Sequence, residues 1–194
     1  MRRLFDIIVS LAGLLALSPL LLLIVVAIKI ESRGSVFFLG PRVGKEGKPF
    51  RLVKFRTMVS DAAARGPGIT TSGDARITRV GRWLRKLKLD EFPQLWNVVR
   101  GEMTFVGPRP EDPRYVAQRP ELYRKSLELT PGITGAGSLL YRHEEAALKG
   151  KDLEKAYFGE ILPRKLAADL DYAQKQNLLR DIGMVLKTVG MLLR

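Results

Sequence analysis

The chain has 194 residues, 46% hydrophobic and 27% charged, a globular composition that suits one domain with an appended segment. With no cysteine and one histidine, disulfides, thiolate or histidine-rich metal sites and a cysteine nucleophile are excluded. The balance of 33 Lys and Arg against 20 Asp and Glu gives a net charge of +13, which calls for a polyanionic partner: nucleic acid, anionic lipid headgroups or phosphorylated substrates.

The first element is apolar. From Ile7 through Ile28 no residue is charged, and as a straight helix this run reaches about 33 Å, enough for a hydrocarbon core of about 30 Å. Ser18-Pro19 lies at its middle, where proline removes a backbone hydrogen bond at a cost of about 3 kcal/mol. Three readings compete. A cleaved signal peptide has a shorter apolar stretch. A simple span puts Arg2 and Arg3 outside while Lys29, Arg33, Arg42, Lys45 and Lys48 hold the other flank in the cytoplasm. A re-entrant helix-break-helix hairpin keeps both basic flanks inside, with Pro19 as its elbow and the Ser18 hydroxyl available to a freed carbonyl. The third reading is preferred, making residues 1–31 a membrane-embedded hairpin and 32–194 a cytoplasmic-face domain.

Further along, Gly34 to Leu39 followed by Gly40-Pro41 reads as a short strand and turn, and Pro49 to Arg56 alternates as a second strand, together a small β-hairpin. Residues 65–73 contain three glycines and a proline, which mark a loop, either a lid or, more plainly, a linker. Ile77, Val80, Leu84 and Leu87 then form one stripe of a helix whose other positions are basic, with Trp83 at the border. This pattern suits a membrane surface or, alternatively, docking on the protein's own core. Leu178, Ile182, Val185, Leu186, Val189 and Leu193 repeat the helical spacing near the C-terminus. The expected fold class is α+β, mainly helical, with amphipathic interface helices around a catalytic core.

The informative stretch runs from Leu87 to Gly101. Pro93 is tolerated only in a first helical turn and Gly101 suits a C-terminal stop, so a short helix should begin within a residue or two of Asp90. Asp90 and Glu91 then sit at a helix N-terminus, where backbone N–H groups and the dipole stabilise a carboxylate and attract phosphate. From spacing alone, an ordinary acidic cap explains the pair equally well.

Several blocks together go further. Lys54-Phe55-Arg56-Thr57-Met58, Arg76-Ile77-Thr78-Arg79-Val80-Gly81, Leu89 through Val98, Gly101 through Pro110, and Pro131-Gly132-Ile133-Thr134-Gly135 resemble, in order, the bacterial sugar transferases, and more narrowly the small monotopic polyprenyl-phosphate phosphoglycosyl transferases. The resemblance implies transfer of a sugar 1-phosphate from a UDP-sugar to undecaprenyl (polyprenyl) phosphate with release of UMP. It also implies a ping-pong mechanism through a covalent phosphosugar on Asp90, at the first membrane step of glycoconjugate synthesis. A carboxylate nucleophile divides one difficult displacement between anions into two, and Mg²⁺, with Asp90 as a ligand, would offset the charge repulsion. Glu91 is expected to handle a proton or position metal and acceptor.

Phosphate contacts are expected from Arg109, held by Pro108 and Pro110 on either side, and from Arg85, Lys54, Arg56 and Arg142. His143 reads as a surface residue. Where the sequence departs from the family pattern, at Thr130 and at Ala136-Gly137-Ser138, sugar selectivity is left open. The implied location is the cytoplasmic face of the bacterial inner membrane, among anionic lipids, with a homodimer left open. No nucleic acid is expected, since no nucleic-acid-binding motif or base-stacking platform of aromatics is present. A non-catalytic scaffold, the other alternative, would tolerate loss of Asp90.

Overall fold

The structure, a computed structural model, describes residues 2–62, 73–141 and 153–192. It is mostly helical, with one long apolar N-terminal helix and two small two-stranded sheets. The expected loop at 65–73, Gly73 apart, lies outside the described residues, as do Arg142 and His143.

Helix α1 (Arg2–Glu31) is long and apolar enough to cross a membrane. It is continuous through Pro19, not interrupted there. Proline removes the N–H that would bond the Leu15 carbonyl four residues back, and the Ser18 hydroxyl donates to that carbonyl at 2.7 Å. The freed acceptor is thus satisfied without breaking the helix. One face of α1 lies along the rest of the protein. Arg2 pairs with Asp181 at 2.9 Å, Arg3 donates to the Val98 and Val99 carbonyls, and Asp6 accepts from the Thr104 hydroxyl at 2.7 Å. Midway, a Cβ at Gly13 would lie 3.4 Å from Leu95, so a larger residue there would wedge the helices apart. At the far end Ile24 and Ile28 pack with Val36, Phe55 and Leu84. The opposite face, including Leu4, Ile8, Leu11, Leu15, Leu22 and Ile30, is exposed.

Strands β1 (Phe37–Val43) and β2 (Pro49–Phe55) pair antiparallel with Phe37 opposite Phe55 and Val43 opposite Pro49. The turn expected at Gly40-Pro41 is displaced to residues 44–48, because β1 continues through Pro41. In a two-stranded sheet each strand is an edge, so a residue without an N–H costs no ladder bond on its outer side.

Helix α2 (Arg79–Lys86) starts later than the stripe from Ile77 suggests. Thr78 caps it by accepting from Gly81 N at 2.9 Å, and the Glu31 carboxylate accepts from Arg79 N and Val80 N. The end of α1 therefore fixes the start of α2. After α2, Lys88 adopts a left-handed conformation and a 3₁₀ turn covers Leu89–Glu91. Helix α3 (Gln94–Arg100) follows and stops at Gly101, whose φ of 88° is the left-handed cap that glycine accepts without strain.

Strand β3 (Thr104–Val106) pairs in parallel with β4 (Gly132–Thr134), a sheet with no counterpart in the sequence reading. Helices α4 (Pro113–Gln118) and α5 (Pro120–Tyr123) lie between these strands. Short α6 (Ala136–Leu140) follows β4, and α7 (Leu153–Ala156) leads through a π-helical turn at Tyr157–Ile161 into α8 (Leu162–Gln174). Tyr123, Tyr157, Phe158, Leu162 and Leu166 make one core cluster, and Leu52, Val98 and Met103 make another beneath the hairpin. The last helix, α9 (Leu178–Leu192), spans nearly the expected stretch, and Leu179, Leu186 and Val189 on it are exposed.

Candidate active site

The junction between α2 and α3 folds as it does because its residues cannot continue a helix smoothly. Pro93 lacks an N–H, and Lys88 turns the chain sharply, so Asp90 and Glu91 are presented on a tight turn. What places this turn is Asn97, one turn into α3 and fully buried. Its side-chain oxygen accepts from Val53 N at 3.0 Å, and its amide donates to the Arg51 carbonyl at 2.8 Å and to Glu102 at 2.7 Å. Helix α3 is thereby fixed in register against β2, whose next residue is Lys54. Asn97 was not singled out from sequence; the available signal was an amide among apolar neighbours in Leu95-Trp96-Asn97-Val98.

Lys54 donates to Glu91 Oε1 at 2.6 Å, and Arg109 reaches the same oxygen at 3.2 Å. Lys54 and Glu91 are largely shielded from water, while Arg109 keeps 41% of its side chain exposed. Burial works against the Glu91 charge, but the two cations outweigh it and hold the carboxyl well below its usual range. Burial also pulls Lys54 down, with Glu91 opposing, whereas Glu91 pushes Arg109 up.

Asp90 behaves oppositely to its neighbour. It is 7% exposed, and its Oδ1 is buried with no hydrogen-bond partner among the described residues. Burial raises its carboxyl above the ordinary value, and the Lys54 charge pulls back. An unsatisfied buried acceptor costs about 1–3 kcal/mol, so the position is tolerated at the expense of stability. The arrangement offers one carboxylate with a bare oxygen beside a second that already holds two cations.

Pro108 and Pro110 are buried on either side of exposed Arg109. The segment is pinned by three backbone bonds: Gly107 N to the Thr134 carbonyl at 2.9 Å, Gly132 N to that of Pro108 at 2.9 Å, and Val43 N to that of Glu111 at 3.0 Å. A Cβ on Gly107 would collide with the Thr130 carbonyl oxygen, so only glycine lets the strands meet. Arg85 donates to the Thr57 hydroxyl at 3.1 Å, and its charge acts on Asp90. Arg56 is not brought into the cluster. Its guanidinium is buried and donates to the carbonyls of Arg33 and Ser32 and to the Ser32 hydroxyl. In this geometry it braces the link between α1 and β1, and the phosphate contact expected of it would require those bonds to break. Ser18 and Pro19 lie within α1, as described. A cavity of about 320 Å³ beside Arg3, Asp6, Thr104, Asp169, Tyr172 and Gln176 includes neither Asp90 nor Glu91 in its lining.

No group of three or more acidic or histidine side chains able to hold a metal occurs among the described residues. The bare Asp90 oxygen nevertheless fits a cation of the Mg²⁺ kind, which takes one or two protein carboxylates and completes its shell with water and substrate phosphate.

Comparison with known proteins gives the family. Residues 1–194 match the model of the family described as bacterial sugar transferase. An undecaprenyl-phosphate glucose phosphotransferase of Komagataeibacter xylinus is 38% identical over 97% of this chain and 35% of its own length. A UDP-glucose:undecaprenyl-phosphate glucose-1-phosphate transferase of Caulobacter vibrioides is 40% identical over 99% of this chain and 69% of its own. A UDP-N-acetylgalactosamine-undecaprenyl-phosphate N-acetylgalactosaminephosphotransferase of Aeromonas hydrophila is 34% identical over 99% and 43%. The chain thus spans about a third to two thirds of the length of these relatives, and the part they share contains both the Asp90-Glu91 turn and the Arg109 segment: it belongs to the bacterial sugar transferase family.

Proposed function

We propose that the protein transfers a sugar 1-phosphate from a UDP-sugar to undecaprenyl phosphate in two steps, with Asp90 as nucleophile. The observation that supports this most directly is the division of labour between adjacent carboxylates. Glu91 Oε1 is engaged by both Lys54 and Arg109, whereas Asp90 Oδ1 has no partner among the described residues. The names of the relatives supply the substrate classes.

In the first step an Asp90 oxygen bonds to the sugar-bearing phosphorus. The bond from that phosphorus to the bridging oxygen breaks, and its electron pair leaves with UMP. In the second step a phosphate oxygen of the lipid acceptor bonds to the same phosphorus, and the bond to Asp90 breaks, restoring the carboxylate. Arg109, exposed and rigidly based, is placed to receive phosphate oxygens, and Lys54 stands beside it; both would share their charge between Glu91 and the substrate. Glu91 keeps these cations aimed while the site is empty. Mg²⁺ held by Asp90 would neutralise pyrophosphate charge when bound.

The membrane segment of this proposal is α1, held against the folded unit along its length and seated in one face of the bilayer. A straight helix of 30 residues is about 45 Å long and would carry its ends to opposite sides of a bilayer. Here Arg2, Arg3 and Asp6 at one end and Ile24, Ile28 and Glu31 at the other contact the same folded unit. That favours a cytoplasmic-face, monotopic placement, with the exposed leucines of α1 and Trp83, Leu179 and Leu186 toward lipid.

Three outcomes follow. Asp90→Asn should abolish turnover and the covalent adduct, read by intact-protein mass spectrometry after incubation with UDP-sugar alone; an adduct persisting in the variant would refute the nucleophile. Because the nucleophile must be ionised, activity is lost as pH falls through the Asp90 pKa. Lys54 lowers that pKa, so Lys54→Met should move the acid limb of kcat to higher pH, and an unmoved limb would contradict the pairing. Finally, cysteines introduced singly at positions 2 and 33 of this cysteine-free chain should both resist a membrane-impermeant maleimide added outside spheroplasts. Labelling of position 2 alone would establish a span.

A further inference from the structure

Lys88, the second residue beyond the end of α2, has φ 55° and ψ 20°, a left-handed conformation that glycine or asparagine would adopt at less cost. Sparsely populated backbone at a site is the kind of outlier that calls for a functional account. The three cations at this end of α2 are also disposed differently. Arg85 bonds Thr57, and Lys86 lies 5.9 Å from the Trp83 ring centre. Lys88 is exposed and has no carboxylate within ion-pairing distance among the described residues, yet its charge acts on both Asp90 and Glu91.

Its neighbours on the other side are apolar. Trp83 and Leu87, four residues apart on one face of α2, are 67% and 42% exposed. The adjoining flank of the same stripe, through Val80 and Leu84, packs on Ile24 and Ile28 of α1, so the exposed pair forms the open edge of that contact. Along the chain the order is exposed apolar pair, free ammonium, buried nucleophile, within the eight residues from Trp83 to Asp90. A phosphate monoester on an isoprenoid tail has the matching order of groups, apolar first and dianion last. The cations facing Asp90 and Glu91 from β2 and from the Gly107–Glu111 segment, Lys54 and Arg109, are already engaged with Glu91.

We infer that Lys88 is the acceptor-binding residue, its ammonium receiving the phosphate of the polyprenyl phosphate at the apolar edge of the Asp90 turn, while Lys54 and Arg109 serve the donor. This rests on the two-substrate reaction proposed above and adds which cation belongs to which substrate.

The test is a comparison of the two KM values in neutral detergent micelles, where adhesion to anionic lipid plays no part. The substrates are undecaprenyl phosphate and whichever UDP-sugar the wild type turns over, from a panel that includes UDP-glucose and UDP-N-acetylgalactosamine. Lys88→Met should raise the KM for undecaprenyl phosphate about tenfold, the size of one lost charge-assisted phosphate contact, and the donor KM by less than twofold. Lys88→Arg should keep the acceptor KM within about twofold of wild type. Lys88→Gly relieves the backbone strain and should melt no lower than wild type, yet raise the acceptor KM as Lys88→Met does. An acceptor KM unchanged in Lys88→Met, a parallel rise in the donor KM, or a normal acceptor KM in Lys88→Gly would each overturn the assignment and leave the Asp90 mechanism standing. A wild type that releases no UMP from any UDP-sugar of that panel would overturn the mechanism itself, and this assignment with it.

Discussion

The site depends on the interlock that Asn97 makes between α3 and β2. Its amide oxygen and nitrogen bond the backbone of Val53 and Arg51, so the helix that begins beneath Asp90 cannot slide along the strand that carries Lys54. Inside a protein such bonds are strong because the alternative is a buried, unsatisfied peptide group, costing about 1–3 kcal/mol each. Glu102 takes the second hydrogen of the same amide, which ties in the turn leading to β3. From β3 the order passes to β4 and to the Gly107–Pro110 segment, held by backbone bonds on both sides. Lys54 and Arg109 reach one oxygen of Glu91 from two directions because both of their backbones are fixed relative to α3.

Two carboxylates adjacent in sequence are given opposite environments by that geometry. Glu91 faces the cations, and its charge is stabilised despite burial; Asp90 faces a less compensated interior, and its charge is destabilised. A carboxylate that is satisfied makes a poor nucleophile and a good brace. One with a bare oxygen is reactive toward phosphorus once a cation has reduced the repulsion, and separated environments of this kind are how neighbouring acids come to play different roles.

Much of this was legible in the sequence, for identifiable reasons. Helix stops followed their residues: Gly101 ended α3 and the spacing of Leu178 to Leu193 marked α9, but α3 starts later than expected, at Gln94 with Pro93 as the residue that caps it, because Lys88 turns the chain and Asp90 and Glu91 sit in a separate 3₁₀ turn. The strand through Pro41 was not legible, because whether proline breaks a strand depends on which side has a partner. The β3–β4 pair was not legible either, since each strand has three residues and pairs across a long separation that local periodicity does not register. Asp90, Glu91, Lys54 and Arg109 were picked out by resemblance and then found adjacent, while Arg56, chosen on the same grounds, turned its guanidinium toward Ser32 and Arg33. A basic residue on the right strand can face either way, and burial decides which. The continuous course of α1 through Pro19 is a similar case: the Ser18 hydroxyl covers the freed carbonyl.

The account turns on Asp90 forming a bond to phosphorus before the lipid acceptor takes part. Isotope exchange between labelled UMP and unlabelled UDP-sugar, measured with purified protein and no acceptor present, asks for that step alone. The account predicts label entering the UDP-sugar in the wild type and none in Asp90→Asn. A wild type that turns over fully when undecaprenyl phosphate is added, yet exchanges no label without it, would contradict a covalent intermediate and require direct transfer between the two substrates.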